Sequence, residues 1–261
     1  MTVLSPPLKK VMEPVLCPEP FDSTNFVYQV KWDGVRMLTC IKDTQLRLIN
    51  KHMRDKTAQY PELHILRDCL QVDSALLDGE VVVLENGKPN FPSILRRDQA
   101  GANNVDYFSS LLPINYMVFD LLYLNGQDLR NKPLESRRDL LHEIMVTEDV
   151  LHTVEDFPGG KSLFEAVFAM GMEGMVAKRK GSYYWPGKNH QDWLKVKCQR
   201  TEVCWLGGFT LRGKLVNALL LGIFREGDFV YVGRAGSGLT AAQQEIRSEE
   251  RRVGKECRSR W

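Results

Sequence analysis

Five short stretches carry residue types that could do chemistry together. Lys31-Trp32-Asp33-Gly34-Val35-Arg36 sets a lysine and an arginine around an Asp-Gly pair. A lysine attacks an electrophile only as the free amine, which neighbouring cations or desolvation must favour. Asp33-Gly34 supplies the turn that presents Lys31 at a strand edge. Asp78-Gly79-Glu80 places two carboxylates inside an apolar run, where charge is costly unless a cation or a sugar hydroxyl meets it. Tyr116 to Asp120 ends an apolar run with the aromatic Phe119 beside an acid, and Glu173 to Lys178 brackets another with opposite charges. In Trp193-Leu194-Lys195-Val196-Lys197 the alternation puts both lysines on one strand face. Each stretch alone fits a structural role. Together they bring lysines, two glutamates and an aromatic to strand ends, the set that a nucleotide with Mg²⁺ requires.

Such residues must be held by strands. Phe26 to Val30, Val35 to Ile41, Leu46 to Ile49, Ala75 to Leu84, Ile114 to Leu122, Gly174 to Lys178 and Trp193 to Lys197 read as short strands. Asn86-Gly87 after Leu84 is a two-residue hairpin signal. One helix is expected over Leu134 to Met145, with Leu134, Leu140, Leu141 and Ile144 on one stripe and the charges on the other face. The strands lie too close together for helical crossovers, so the sheets are mostly antiparallel and the class is α+β. From Val203 the texture becomes short strands between Gly-containing turns (Val203 to Thr210, Ala218 to Phe224, Phe229 to Arg234), the opening of a small barrel.

The chain has 261 residues, 43% hydrophobic and 26% charged, with Lys+Arg 35 against Asp+Glu 33. That excludes a disordered or low-complexity chain. No apolar run approaches the roughly 18 to 20 residues that span a bilayer. The first ten residues lack the apolar core of a secretory signal, and six cysteines without a C-x-x-C pair argue against a disulfide framework or a zinc site. A cytoplasmic, membrane-free protein is expected. A net charge of +2 means that a polyanionic partner would need a local cationic patch. The end of the chain stands apart. Arg247 to Glu256 is what a common sequencing adapter encodes when read as AGA TCG GAA GAG CGT CGT GTA GGG AAA GAG, so residues 247–261 are expected to be a non-native tail on a gene cut short near Ile246. The tail holds six basic and three acidic residues, so without it 35 basic and 33 acidic residues become 29 and 30.

In their order these stretches resemble motifs I, III, IIIa, IV and V of the covalent nucleotidyltransferases, and most closely the ATP-dependent DNA ligase domain of bacterial ligase D. The resemblance runs from Lys10 to Ile246, with Gly207-Gly208-Phe209, Leu219-Leu220-Leu221-Gly222 and Tyr231-Val232-Gly233 resembling the start of that family's OB domain. It implies an adenylation domain of antiparallel sheets with flanking helices over residues 1–199 and an incomplete OB-fold barrel over 200–246. It implies sealing of 5′-phosphate/3′-OH nicks in double-stranded DNA through a lysyl-AMP, with ATP and Mg²⁺ (Mn²⁺ as an alternative). Lys31 would be the nucleophile. Glu80 would bind the ribose or metal, Phe119 would stack on adenine, and Glu173 would hold Mg²⁺. Lys195 and Lys197 would hold the phosphates, and Arg36 would lie near nucleotide and nick. A monomer, with end-binding repair proteins as further partners, is in keeping with it.

The chain also departs from the pattern. Gln29 stands where the family usually has Glu, an amide still able to hydrogen-bond at adenine but uncharged. Lys51-His52 replaces an Arg-Asn pair, and Asn189 follows Gly187-Lys188 where Arg is frequent, so Lys51 and Asn189 are weak candidates. His52 and His190 read as surface histidines, not metal ligands. A basic motif VI, which orients the leaving pyrophosphate, is not found, and slow self-adenylation is expected. An RNA ligase, an mRNA capping guanylyltransferase and a catalytically silent nick-binding module are the competing readings; intact Lys31, Glu80, Glu173, Lys195 and Lys197 speak against the last.

Overall fold

The computed structural model describes residues 8–146, 149–198, 203–213, 215–236 and 240. The proposed tail, 247–261, and the linker around residue 200 lie outside them. The chain divides into two compact units, Met1–Cys198 and Gln199–Trp261.

Along the first unit run β1 (Glu13–Leu16), β2 (Phe26–Val30), β3 (Val35–Lys42), β4 (Gln45–Asn50), α1 (Leu66–Cys69), β5 (Ser74–Glu85), β6 (Lys88–Pro89), α2 (Phe91–Asp98) and α3 (Val105–Leu111). Then follow β7 (Ile114–Leu124), β8 (Gln127–Asp128), α4 (Leu134–Ile144), β9 (Leu151–Thr153), α5 (Gly160–Ala169), β10 (Gly174–Arg179) and β11 (Asn189–Lys197). They form a seven-stranded sheet, β4-β3-β5-β7-β8 with β6 on β5 and β9 on β7, and a four-stranded sheet, β1-β11-β10-β2. Pairing is mostly antiparallel, but β1 runs parallel to β11 and β9 parallel to β7, so both sheets are mixed. All seven expected strands of this unit are present.

Alternation along the strands sorts side chains into layers. Met37 and Ile41 of β3, Leu77, Val81 and Val83 of β5 and Tyr116 and Val118 of β7 face a core closed by Leu66 and Leu141. Leu38, Cys40, Leu76 and Leu122, from the opposite face, meet Trp193 of the smaller sheet with Met12 and Tyr184. Tyr28, Met175, Ala177 and Val196 of the smaller sheet pack under Leu163 and Val167 of α5. The parity that sends Leu76 toward the second sheet sends Asp78 and Glu80 the same way, so carboxylates join aliphatics in the gap between the sheets. Asn86-Gly87 makes the expected tight turn, both residues at positive φ (52° and 75°), with Glu85 paired to Lys88.

Two features were not expected. On α4 the charges do not all face solvent: Arg137 and Arg138 are buried with Leu134 and Leu141, because the buried Asp120 and the more exposed Asp156 wait for them (below). And α5 begins at a glycine with no cap of its own. Its first N–H groups, Gly160 and Lys161, instead donate to Asp22 Oδ1 at 2.7 and 3.0 Å, a cap supplied from 138 residues away. α2, by contrast, carries a local signal in Asn90, whose side chain accepts from the Ser93 N–H.

The second unit shows an antiparallel meander of β12 (Trp205–Arg212), β13 (Leu215–Arg225) and β14 (Asp228–Ala235), with register shifts on both pairings. Its three strands contain those expected from sequence, each displaced or extended by a few residues, except that Val203 and Cys204 lie before β12. Val216 and Ala218 are its buried hydrophobic residues among those described.

Candidate active site

Between the two sheets opens a cleft of ≈ 500 Å³. Gln29, Lys31, Arg36, Glu80, Phe119, Glu173, Lys195 and Lys197, every site residue expected from sequence, line it.

Lys31 directly follows β2, and its backbone N–H donates to Gly174 O at the start of β10 (2.9 Å), which ties the loop that carries Lys31 to Glu173. The Lys31 ammonium forms an ion pair with Glu173 Oε2, and Lys197 Nζ lies 3.1 Å from the other oxygen. Burial opposes ionisation of Glu173, but these two lysines outweigh it and hold the carboxyl below its usual range. Asp33 faces the same carboxylate; burial and then the Glu173 charge push its carboxyl up. Gly34 lets this loop lie against β5, since a Cβ there would sit 2.2 Å from Val81 O. Lys195 has no ion-pair partner among the described residues, so its charge is available to a ligand.

Deeper in, Phe119 is flanked by cations: the Arg36 guanidinium carbon is 4.5 Å and Lys178 Nζ 4.4 Å from its ring centroid, and Lys178 is also 4.3 Å from the Trp193 ring. Burial lowers Lys178 to about 7. Arg36 is not a free phosphate clamp. Its Nε and Nη2 donate to Asp78 Oδ1 (2.5 Å) and Oδ2 (2.7 Å), and Tyr184 OH donates to the same Oδ2 at 2.8 Å while accepting the Met12 N–H at 3.0 Å. This answers the cost of a carboxylate inside a strand: Asp78, fully buried, has a bidentate cation. Glu80, two residues on, has no such partner among the described residues, and burial pushes it up to about 8. Gln29 Nε2 donates to Asp156 Oδ1 at 2.6 Å.

Lys51 and His52 also line the cleft, whereas Asn189 does not. His190 stacks on Trp185 with centroids 5.2 Å apart and approaches Asp192 Oδ2 at 3.1 Å. Lys178, expected from sequence with Lys31, Lys195 and Lys197 as part of a cationic groove, lines the cleft. Asp33, Trp193 and Asp156 are parts of the site for which no role was expected from sequence; the first two sit inside stretches singled out above, while Asp156 carries no local signal. Among the described residues no three or more His, Cys, Asp or Glu form a ready-made metal cage. The facing Asp33 and Glu173 carboxyls, whose charges repel each other, fit a divalent cation such as Mg²⁺, which one or two carboxylates and substrate phosphates hold. A cleft lined by Phe119 and by lysines, of which Lys195 has no ion-pair partner among the described residues, fits a purine polyphosphate.

This two-sheet α+β frame around a lysine is a nucleotidyltransferase-like ligase fold. Residues 7–197 match the family described as ATP dependent DNA ligase domain. The chain belongs to that family. It is 34% identical over 224 residues to the multifunctional non-homologous end joining protein LigD of Mycobacterium bovis, covering 84% of this chain and 28% of that one. It is 34% identical over 229 residues to LigD of Pseudomonas aeruginosa, covering 83% and 26%. The chain thus spans little more than a quarter of the length of these relatives. Among solved structures, a mycobacterial DNA ligase D complexed with ATP and MES superposes with a TM-score of 0.62 at 30% identity, over 92% of this chain and 77% of that one. No helix among the described residues is long and apolar enough to cross a membrane.

Proposed function

We propose that this chain seals 5′-phosphate/3′-OH nicks in duplex DNA at the expense of ATP, with Lys31 as nucleophile. The observation that carries the reading is the meeting of Lys31, Glu173 and Lys197 in a cleft walled by Phe119. The Lys31 amine attacks the α-phosphorus of ATP, a P–N bond forms, the bond to the β-phosphate oxygen breaks and pyrophosphate leaves. The 5′-phosphate of the nick then takes the AMP from Lys31, and the 3′-OH displaces AMP to close the strand. Attack needs the free amine, so the proton shared in the Lys31–Glu173 ion pair must leave Lys31 before the P–N bond forms. Phe119 supports the purine by stacking, Gln29 meets its edge, Glu80 takes the ribose, and Lys195 and Lys197 hold phosphate oxygens. Arg36, fixed by Asp78, borders the nucleotide and the nick as a shaped cationic wall. Mg²⁺, or Mn²⁺ in its place, held by Glu173 and Glu80, would neutralise triphosphate charge.

Residues 1–199 are read as the adenylation domain and 200–246 as part of an OB-fold, for which the bulged meander of β12 to β14 is the support. The end-joining names of the LigD relatives extend the reading to broken ends and repair partners, in a monomeric cytoplasmic enzyme. Incubation with Mg²⁺ and ATP labelled in its α-phosphate is the test. The chain becomes covalently labelled, the label passes to nicked DNA, and Lys31→Ala abolishes both. Absence of label, or a label kept by Lys31→Ala, overturns the proposal.

A further inference from the structure

Gln29 lines the cleft with an amide that could present either a donor or an acceptor, because it can turn over. Asp156 removes that freedom. A carboxylate only accepts, so the Gln29 atom 2.6 Å from Asp156 Oδ1 is the NH₂ group. The Gln29 oxygen has no donor among the described residues, yet it is not sealed among the buried unpartnered atoms, and Gln29 lines the cleft. Asp156 is itself held: Arg138 Nε donates to its Oδ2 at 3.0 Å. Buried Arg138 also donates to Phe119 O at 3.4 Å and to Val154 O, so one guanidinium anchors both the aromatic wall and the carboxylate that orients the amide.

We infer that Asp156, held by Arg138, is a positioning residue that locks the Gln29 oxygen toward the nucleotide and selects a 6-amino over a 6-oxo purine. The inference rests on reading the cleft as a nucleotide site. With the α-phosphate at Lys31, a purine whose 6-edge meets Gln29 offers a donor if it is adenine and an oxygen if it is a 6-oxo base. Two acceptors then face each other unpaired, a loss that the site cannot relieve by turning the amide.

The test is equilibrium binding of ATP and of inosine triphosphate, which differ at that edge, measured by titration calorimetry on the full chain without catalysis. Wild type is expected to favour ATP by about tenfold or more. In Asp156→Asn the partner can donate or accept, Gln29 can turn, and the preference falls to about threefold or less. Combining Gln29→Glu with Asp156→Asn exchanges amide and carboxylate, again presents a fixed oxygen, and restores the preference. A purely structural Asp156 would weaken both nucleotides alike, and an unchanged ratio in Asp156→Asn overturns the inference. Gln29→Leu serves if Asp156→Asn does not fold: it loses the preference, and a preference kept there is equally fatal. If wild type binds neither nucleotide, the nucleotide reading itself has failed; if it binds ATP and only the ratio is insensitive, the inference alone has.

Discussion

Glu80 and Lys178 face one cleft, and burial moves them in opposite directions, the acid up to about 8 and the amine down to about 7. For Glu80 the folded value lies above the ordinary carboxyl value of 4.5, so the folded protein keeps a proton that the unfolded chain has lost. Its contribution to stability is present below the ordinary value and is lost as pH rises from 4.5 to about 8. Glu80→Gln should therefore melt higher than wild type at pH 8 and equally at pH 4.5, and melting curves across that range check this. A cation bound at Glu80 must displace the proton, so Mg²⁺–nucleotide affinity should rise with pH up to about 8 in wild type and stay flat in Glu80→Gln. Glu173 is the reverse case, an acid kept ionised by Lys31 and Lys197. Glu173→Gln leaves two ammonium groups facing each other across a neutral amide, and lysine labelling should fall by about 10²-fold or more, with the Mg²⁺ midpoint displaced upward; labelling rates over a metal titration measure both.

At the level of elements, the site depends on how α4 and β7 are pinned. Asp120 of β7 is fully buried and takes Arg137 of α4 through both oxygens, at 2.7 and 2.9 Å, while Arg137 Nη1 reaches Lys132 O and Ser182 O. Burial alone would raise the Asp120 carboxyl, but Arg137 holds it below its usual range. Asp120→Ala strands the guanidinium and should cost about 3–5 kcal/mol in urea unfolding, whereas joint replacement of Asp120 and Arg137 by leucine should recover much of that. The loop that carries Lys31 has its own constraint. Gly34→Ala drives a Cβ into Val81 O, and a backbone atom cannot yield cheaply. A loss of about 2 kcal/mol or more, with Lys31 displaced and labelling reduced, is expected. The strands themselves were legible because their apolar alternation is local. The buried face of α4 was misread because an arginine is sent inward only by an acid on another element.

On the scale of the molecule, the first unit has three large hydrophobic clusters, whereas the described part of the second buries Val216 and Ala218 and leaves Trp205, Phe224 and Tyr231 exposed at 61%, 57% and 59%. Hydrogen exchange should accordingly be fast over Trp205–Ala235 and slow in β5 and β7. Comparable protection in both would contradict it. Charge tells a similar story of local arrangement: a formal net charge of +2 hides a cleft with Lys31, Lys178, Lys195 and Lys197 on its walls. Nick binding should then weaken steeply between about 50 and 200 mM salt.

Composition and alternation determined from sequence that the chain folds and which runs are strands, since strand periodicity assigns faces without knowledge of partners. Which eight side chains would share the cleft was implied by the resemblance of the motifs and their order to a known family. Only the tertiary structure decided what those side chains are free to do. Arg36 is taken by Asp78 and Lys31 by Glu173, Lys195 has no ion-pair partner among the described residues, and the Gln29 amide is turned by Asp156, 127 residues away. Such pairings are set by how sheets register and pack, and a carboxylate's partner across a fold has no local signature in the chain.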